Sequence, residues 1–283
     1  GLYVLTGTTT HSVIITASGE VSLLLSDAVI QTSDAAAIIG KNQSNLYIYL
    51  ADDSTNTISD AGTSILPAAI YSNSDLTIEG IGILNVNGNQ IDGDGIITVN
   101  SNLTINNGVV NVKSVADGLD SGGTLTINGG TIYVNASDDG INASSALLNG
   151  GNMLIMGANS GISTDNGYNI NDGIVVIVGT STLEAPKTTS EQIALCFDFG
   201  TYISANKVVS LVDSTGETAI SFLSAQSFKN IVMSKYVLTY NEYNLYSGGS
   251  DTGILTSGLY YSGTYTPGTL IGTYTINSIV NSY

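Results

Sequence analysis

Asp94-Gly95-Ile96, Asp117-Gly118-Leu119, Asp139-Gly140-Ile141 and Ser160-Gly161-Ile162 repeat one motif through Ile91–Val178 at spacings of 23, 22 and 21 residues. A second marker keeps the same beat: Asn106, Asn128, Asn149 and Asn171, each followed two residues later by Gly108, Gly130, Gly151 and Gly173. A fixed period in this range signals stacked units that bury apolar faces only against their neighbours. Between the markers lie short alternating runs, Leu103-Thr104-Ile105, Val110-Asn111-Val112, Leu125-Thr126-Ile127 and Ile132-Tyr133-Val134. Alternation reads as strand, and the Gly/Asn/Asp clusters read as corners. Two or three short strands per unit make one turn of a solenoid. The fold class predicted is all-β, a right-handed parallel β-helix (β-solenoid) with a β-rich C-terminal cap and strand-like termini.

The beat extends outward. Leu23, Leu46, Leu76, Leu103, Leu125, Ala146 and Tyr168 fall at equivalent strand positions, which predicts about seven coils. Stacked at the usual strand spacing, these make a rod roughly 35 Å long. The spacing stretches to 30 and 27 residues around Asp60–Pro67 and Gly88–Asp94, where loops are expected to leave the coil. Residues 1–16 form a strand-like segment ahead of the first clear coil, a possible inter-subunit strand, and 17–180 carry the helix. Residues 181–258 are expected to continue or cap it. They begin with a polar loop containing Pro186, and the turn Asp213-Ser214-Thr215-Gly216 joins two strands. Residues 259–283 form a β-prone tail rich in Tyr, Thr, Gly and Ser.

Charge narrows the partners. The 283 residues carry 23 acids against six lysines, with no arginine, for a net charge of −17. This balance argues against nucleic acid and anionic membranes, since both are held through Lys and Arg. Cations, or acidic polymers held through them, suit the balance. The single cysteine, Cys196, sits in an apolar run and reads as core packing. No apolar run approaches the ~20 residues of a membrane span. The start at Gly1 reads as a processed, secreted product, with an extracellular, cell-surface location expected.

In a parallel solenoid, residues one period apart lie over one another, so Asp94, Asp117 and Asp139 form a column, with Asp92, Asp120 and Asp138 close by. Two carboxylates ~5 Å apart repel by roughly 3 kcal/mol at an effective dielectric near 20. Such a stack protonates, splays into water or holds a cation. Hard oxygen donors favour Ca²⁺, with Gly95, Gly118 and Gly140 letting carbonyls turn inward. The competing reading is a row of turn aspartates chosen for local hydrogen bonding. The Asn106/Asn128/Asn149/Asn171 column reads as a structural amide ladder.

Leu50-Ala51-Asp52-Asp53-Ser54-Thr55-Asn56-Thr57-Ile58, Ala69-Ile70-Tyr71-Ser72, Asp75-Leu76-Thr77-Ile78 and Gly258–Tyr265 add a family likeness. With the Asp-Gly-Ile and Asn-x-Gly repeats, the chain resembles the secreted bacterial carbohydrate-binding β-helix domains nearly end to end. The resemblance implies a calcium-containing, pectate-lyase-like parallel β-helix that binds acidic plant polysaccharide such as polygalacturonate.

Catalysis is not expected. The lyases of similar fold use an arginine base beside calcium, and this chain has no arginine. Hydrolysis needs paired acids with basic clamps. Asp138 and Asp139 are neighbours whose side chains are expected to point apart. His11 reads as an exposed polar residue, and Lys113 as a surface lysine. Two non-catalytic readings remain. One is a monomeric polysaccharide-binding module using surface tyrosines such as Tyr47, Tyr49, Tyr71 and Tyr133. The other, preferred, is a filament of copies of the chain joined head to tail by strand addition, with a Ca²⁺- and carbohydrate-binding surface. Its subunit contacts are expected at Leu2, Val4, Val13 and Ile15 and at Tyr274 and Ile276, since both termini are uncharged and strand-prone.

Overall fold

The computed structural model describes residues 1–33, 35–42, 45–61 and 66–283. Among these residues there is no helix, so no helix is long and apolar enough to cross a membrane. The chain winds as a β-solenoid of about seven turns, and a separate antiparallel sheet follows at its C-terminal side.

Each turn contributes up to three strands, one to each face. The first face stacks Asn45–Leu50, Asp75–Gly80 and Leu103–Ile105, then the later half of Leu119–Ile127 and of Ile141–Leu148, and last Tyr168–Ile170. The second stacks Thr55–Ser59, Ile83–Gly88, Val109–Ser114, Thr131–Ala136, Asn152–Gly157 and Ile174–Gly179. The third runs from Val13–Ile15 through Ile38–Gly40, Ala68–Ser72 and Asp94–Thr98 to Ile162–Thr164. All these pairings are parallel. Alternate residues point inward, so the apolar members of each run, from Leu46 and Ile48 to Val175 and Ile177, fill one continuous core.

The corner between first and second faces carries a residue with positive φ in turn after turn: Gly108, Gly130, Gly151 and Gly173, with φ from 89° to 99°. Asn106, Asn128, Asn149 and Asn171 stand just before them. Each amide donates from Nδ2 to the Oδ1 of the amide below, at 2.8–2.9 Å, forming the predicted ladder. Its lowest member, Asn106, donates to Glu79 Oε2 at 2.9 Å.

The register corrects one expectation. Leu46 pairs with Val21, not Leu23, while Leu46, Leu76, Leu103, Leu125, Ala146 and Tyr168 do form one column. A two-residue slip keeps the same side chains inward, so alternation is blind to it. Residues 2–15 are also part of the stack. Leu2–Thr9 pairs with Val21–Gln31, and Val13–Ile15 with Ile38–Gly40. Of the loop predicted at Asp60–Pro67, residues 62–65 lie outside the described residues; the excursion at Gly88–Asp94 is a turn held by Gly93 N–H to Gln90 O.

The far end is capped rather than continued. Residues 180–192 cross the last turn, where Glu184 accepts from the backbone and hydroxyl of Thr164 and the Tyr168 hydroxyl donates to the Glu184 carbonyl. Phe228–Lys235 then pairs antiparallel with Ile174–Gly179, which stops the parallel ladder, and with Ala194–Ile203. Val208–Asp213 and Thr218–Leu223 form a hairpin through the predicted turn, where Gly216 N–H donates to Asp213 O. Glu242–Asp251, Ile254–Thr256, Leu259–Tyr261 and Tyr265–Thr275 complete a six-stranded antiparallel sheet. Its inner side packs Leu211, Ile220, Phe222 and Leu245 against Leu154, Met156, Val176 and Val178 on the outside of the second face. Cys196 lies buried in the core, where burial pushes its thiol up to about 12 and keeps it inert.

Candidate functional site

The acidic residues converge at the corner between second and third faces. Asp94, Asp117 and Asp139 occupy this corner in consecutive turns. Each carboxylate reaches forward one turn: Asp94 Oδ1 accepts the Asp117 N–H at 2.9 Å, Asp117 Oδ1 the Asp139 N–H at 2.9 Å, and Asp139 Oδ1 the Ser160 N–H at 2.8 Å. The column is therefore real, and local hydrogen bonding engages the Oδ1 of each member and, at Asp117, also the Oδ2, which accepts from Asn142 Nδ2 at 3.0 Å. Ser160 ends the series; at the next corner the N–H groups of Thr180 and Ser181 both donate to the Asn159 carbonyl.

The glycines have a different reason from the one expected. A Cβ on Gly118 would lie 2.2 Å from Val134 Cγ1 and 2.6 Å from the Gly140 carbonyl oxygen, a clash no side chain survives. The Gly118 and Gly140 carbonyls accept from Ile96 and Leu119 N–H, so they belong to the ladder between turns. Close backbone stacking selects glycine here.

Asp138 sits in the corner and not in a strand, which overturns the expectation that it points away from Asp139. One carboxylate oxygen each from Asp117, Asp138 and Asp139 lies within 4.8 Å of the others. Asp138 is exposed, Asp117 and Asp139 are half-buried, and Asp94 is buried. Burial pushes Asp94 up to about 8, opposed by the Asp117 N–H and reinforced by the charges of Asp117, Asp120 and Asp138. Burial and then the Asp117 charge raise Asp120 to about 6. Burial also raises Asp117 and Asp139, against the hydrogen bonds they accept. Asp92 is exposed with φ of 56° in the same corner. The donors are all carboxylate oxygens, the set a hard divalent cation such as Ca²⁺ takes, and the crowding of like charge is what a cation relieves.

Asp60 was not anticipated. It lies in the same corner, 1 % exposed, accepting from the Asn89 N–H at 2.7 Å and from the Gln90 amide. The long insertion after it hides it from the repeat.

The four tyrosines do not share a surface. Tyr47 and Tyr49 lie on the first face, their rings 6.2 Å apart; Tyr71 is on the third and Tyr133 on the second. Tyr133 does join a groove of about 520 Å³, where the open half of the second face meets the antiparallel sheet. Asn85, Asn111 and Tyr133 stand in one column on its floor. Asn206, Leu223 and Leu255 form the opposite wall. Asn111 Nδ2 donates to Asn85 Oδ1 at 3.0 Å, and both amides line the groove. No carboxylate lines it among the described residues. The sequence held no signal for this groove, because its wall, from Asn206 to Gly258, lies far along the chain from its floor at Asn85, Asn111 and Tyr133.

Of the terminal residues, Leu2 and Val4 are 66 % and 59 % exposed, whereas Ile15 and Ile276 are buried and Val13 and Tyr274 half-buried. His11 and Lys113 are exposed.

The family described as carbohydrate-binding domain-containing protein matches residues 1–230. Among solved structures, a polysaccharide lyase-like protein from C. thermocellum, determined as a gadolinium derivative, is similar with a TM-score of 0.53. It is 29% identical, and the match covers 60% of this chain and 77% of that one. No curated protein matches the chain.

Proposed function

The chain belongs to the carbohydrate-binding domain-containing protein family, and from that premise we propose a non-catalytic, extracellular glycan-binding β-helix braced by Ca²⁺. The observation that carries the reading is the groove. Its floor offers amide donors and acceptors in register with the coil, an aromatic ring, and a wall with apolar side chains, the mixture that sugars use. Its volume, about 520 Å³, falls within the ~300–1,000 Å³ of ligand sites.

Asp117, Asp138 and Asp139 would hold the cation, with Asp94 and Asp120 behind them and Asp92 at the rim. A bound Ca²⁺ supplies charge neutralisation and a bridge to the carboxylates of an acidic polysaccharide of the polygalacturonate type. No base is assigned: the chain has no arginine, and Lys113 lies exposed on a different part of the turn. Binding of the full chain to immobilised polygalacturonate and to neutral polysaccharides tests the groove. Tyr133→Ala and Asn111→Ala are expected to weaken it about tenfold or more; unchanged retention rejects the groove.

A second reading, assembly into filaments, rests on the first turn. Leu2–Thr9 and Val13–Ile15 each pair on one side, and Leu2, Tyr3, Val4 and Ile14 are more than half exposed. They border an apolar hollow of about 380 Å³ with Leu5 and Ile15. An uncovered strand edge of this kind recruits a strand, here from another copy. The uncharged edge strand Tyr265–Thr275 is its candidate partner. Filaments in negative stain that vanish on Val4→Lys with Ile14→Lys support assembly; a monodisperse monomer in the unaltered protein rejects it.

A further inference from the structure

Beside the antiparallel sheet, at its margin with the last solenoid turn, lies a second, smaller cavity of about 280 Å³, whose lining includes Ile174 of that turn together with Ser221, Lys235, Tyr236, Asp251, Tyr260 and Tyr261. Ile220 and Phe222 pack inward against the solenoid, so Ser221 between them points the other way. It is 4 % exposed, and its hydroxyl is, among the described residues, the one buried side-chain polar atom with no hydrogen-bond partner. Native folds rarely leave a buried hydroxyl without a partner. Beside it, Lys235 is half-buried; its Nζ donates to the Ala219 carbonyl at 2.7 Å, leaving two N–H bonds, and Glu217 attracts it through space. Asp251 Oδ1 accepts the Gly253 N–H at 2.8 Å, which leaves its second oxygen as an acceptor.

We propose that this cavity is a subsite for a single pyranose ring, a terminal or branching sugar, with Ser221 Oγ, Lys235 Nζ and the Asp251 carboxylate taking its hydroxyls. Size argues for one ring. At ~30 Å³ per water the space holds about nine waters, and it falls below the ~300–1,000 Å³ of pockets for larger ligands. Chemistry argues for a sugar. Donors and an acceptor surround the space and phenol rings form its sides, matching a ring with hydroxyls at its edge and C–H bonds on its faces. The inference rests on the carbohydrate-binding reading but uses no residue of the groove or the acidic corner. Of these polar and aromatic residues only Ser221 lies within residues 1–230, the family match, so the subsite would be a property of this chain's own C-terminal sheet.

The test uses the full chain, titrated with methyl β-D-glucopyranoside and with D-galacturonic acid by saturation-transfer NMR, beside the polysaccharide retention assay. At least one sugar is expected to bind, the preferred one fixing whether a neutral or a uronic ring is taken. Ser221→Ala should weaken it about tenfold, the effect of one hydrogen bond, with the melting temperature unchanged or raised because the orphan hydroxyl is gone. Lys235→Met should weaken it at least as much, whereas Tyr133→Ala should leave it alone. Absence of sugar binding, or affinity indifferent to Ser221→Ala, overturns the subsite even where polysaccharide is retained. Sugar binding without polysaccharide retention supports the subsite and overturns the groove instead.

Discussion

Asp94 Oδ1 accepts the backbone N–H of Asp117 at 2.9 Å, 23 positions later in the chain and directly above it in the stack. The same bond recurs from Asp117 to Asp139 and from Asp139 to Ser160. Each acid thus finishes the backbone of the turn that follows, while its charge crowds its neighbours. Structure wants the oxygen, and electrostatics resists the charge.

Asp117→Asn separates the two. The amide keeps an acceptor for Asp139 N–H, and Asn142, which donates to Asp117 Oδ2 at 3.0 Å, can turn its own amide to suit. Removing one of three converging charges is worth roughly 1–2 kcal/mol at partly exposed sites. The metal-free variant is expected to melt about 2–6 °C higher than the parent and to lose the stabilisation by added Ca²⁺. Calorimetry with chelator and with Ca²⁺ checks both; a large Ca²⁺ shift retained in the variant would show that the cation sits elsewhere.

Acidity should act in an unusual direction. Asp94 rises from the ordinary 3.8 to about 8 through burial. A carboxyl with a raised folded value binds its proton more tightly when folded, so its contribution to stability is complete below the ordinary value and is lost as pH climbs through the folded one. Metal-free protein is expected to lose thermal stability steadily between about pH 4 and pH 8, and Ca²⁺ to restore it at the alkaline end, where the carboxylates are ionised. Melting curves across that range, in chelator and in Ca²⁺, provide the check. A metal-free curve that rises through the range rejects the buried-acid account.

Gly118→Ala is expected to destabilise by at least ~2 kcal/mol, since the added methyl meets Val134 Cγ1 at 2.2 Å and the next turn's carbonyl at 2.6 Å. Gly216→Ala, whose methyl would meet nothing within 4 Å, suffers from its φ of 91° alone. Chemical denaturation of the pair separates crowding from conformational strain; equal losses would refute the role of close stacking.

Asn128 stands in the middle of the amide ladder, donating to Asn106 and accepting from Asn149. Asn128→Ala should cost about 1–2 kcal/mol at this exposed corner. Adding Asn106→Ala should cost less than the sum, because the two share a bond. Additive losses in a double-mutant cycle would mean that the ladder is decorative.

The solenoid was legible because Asp-Gly and Asn-x-Gly mark opposite corners of one turn, and corners are where backbone demands fall on few residue types. The acidic column was legible for the same reason. Asp60 was not, because the stretched spacing beyond it breaks the period. The slip between Leu23 and Val21 was invisible, since both point inward. Beyond Val178 the strands could be read but their partners could not: the hairpin at Asp213–Gly216 is local, whereas the pairing of Glu242–Asp251 with Val208–Asp213 depends on packing over long separations. The groove and the Ser221 cavity belong to that second category. Tyr47, Tyr49, Tyr71 and Tyr133 look alike in sequence, yet three different faces divide them.

The amide ladder also makes length adjustable. Asn128 and Asn149 each receive from above what they give below, so a whole turn inserted between them would meet the same sockets it presents. The shaft can lengthen or shorten by complete turns while its cross-section, acidic corner and C-terminal sheet stay as they are. Changes of a few residues enjoy no such freedom, and only the corners that already bulge can absorb them.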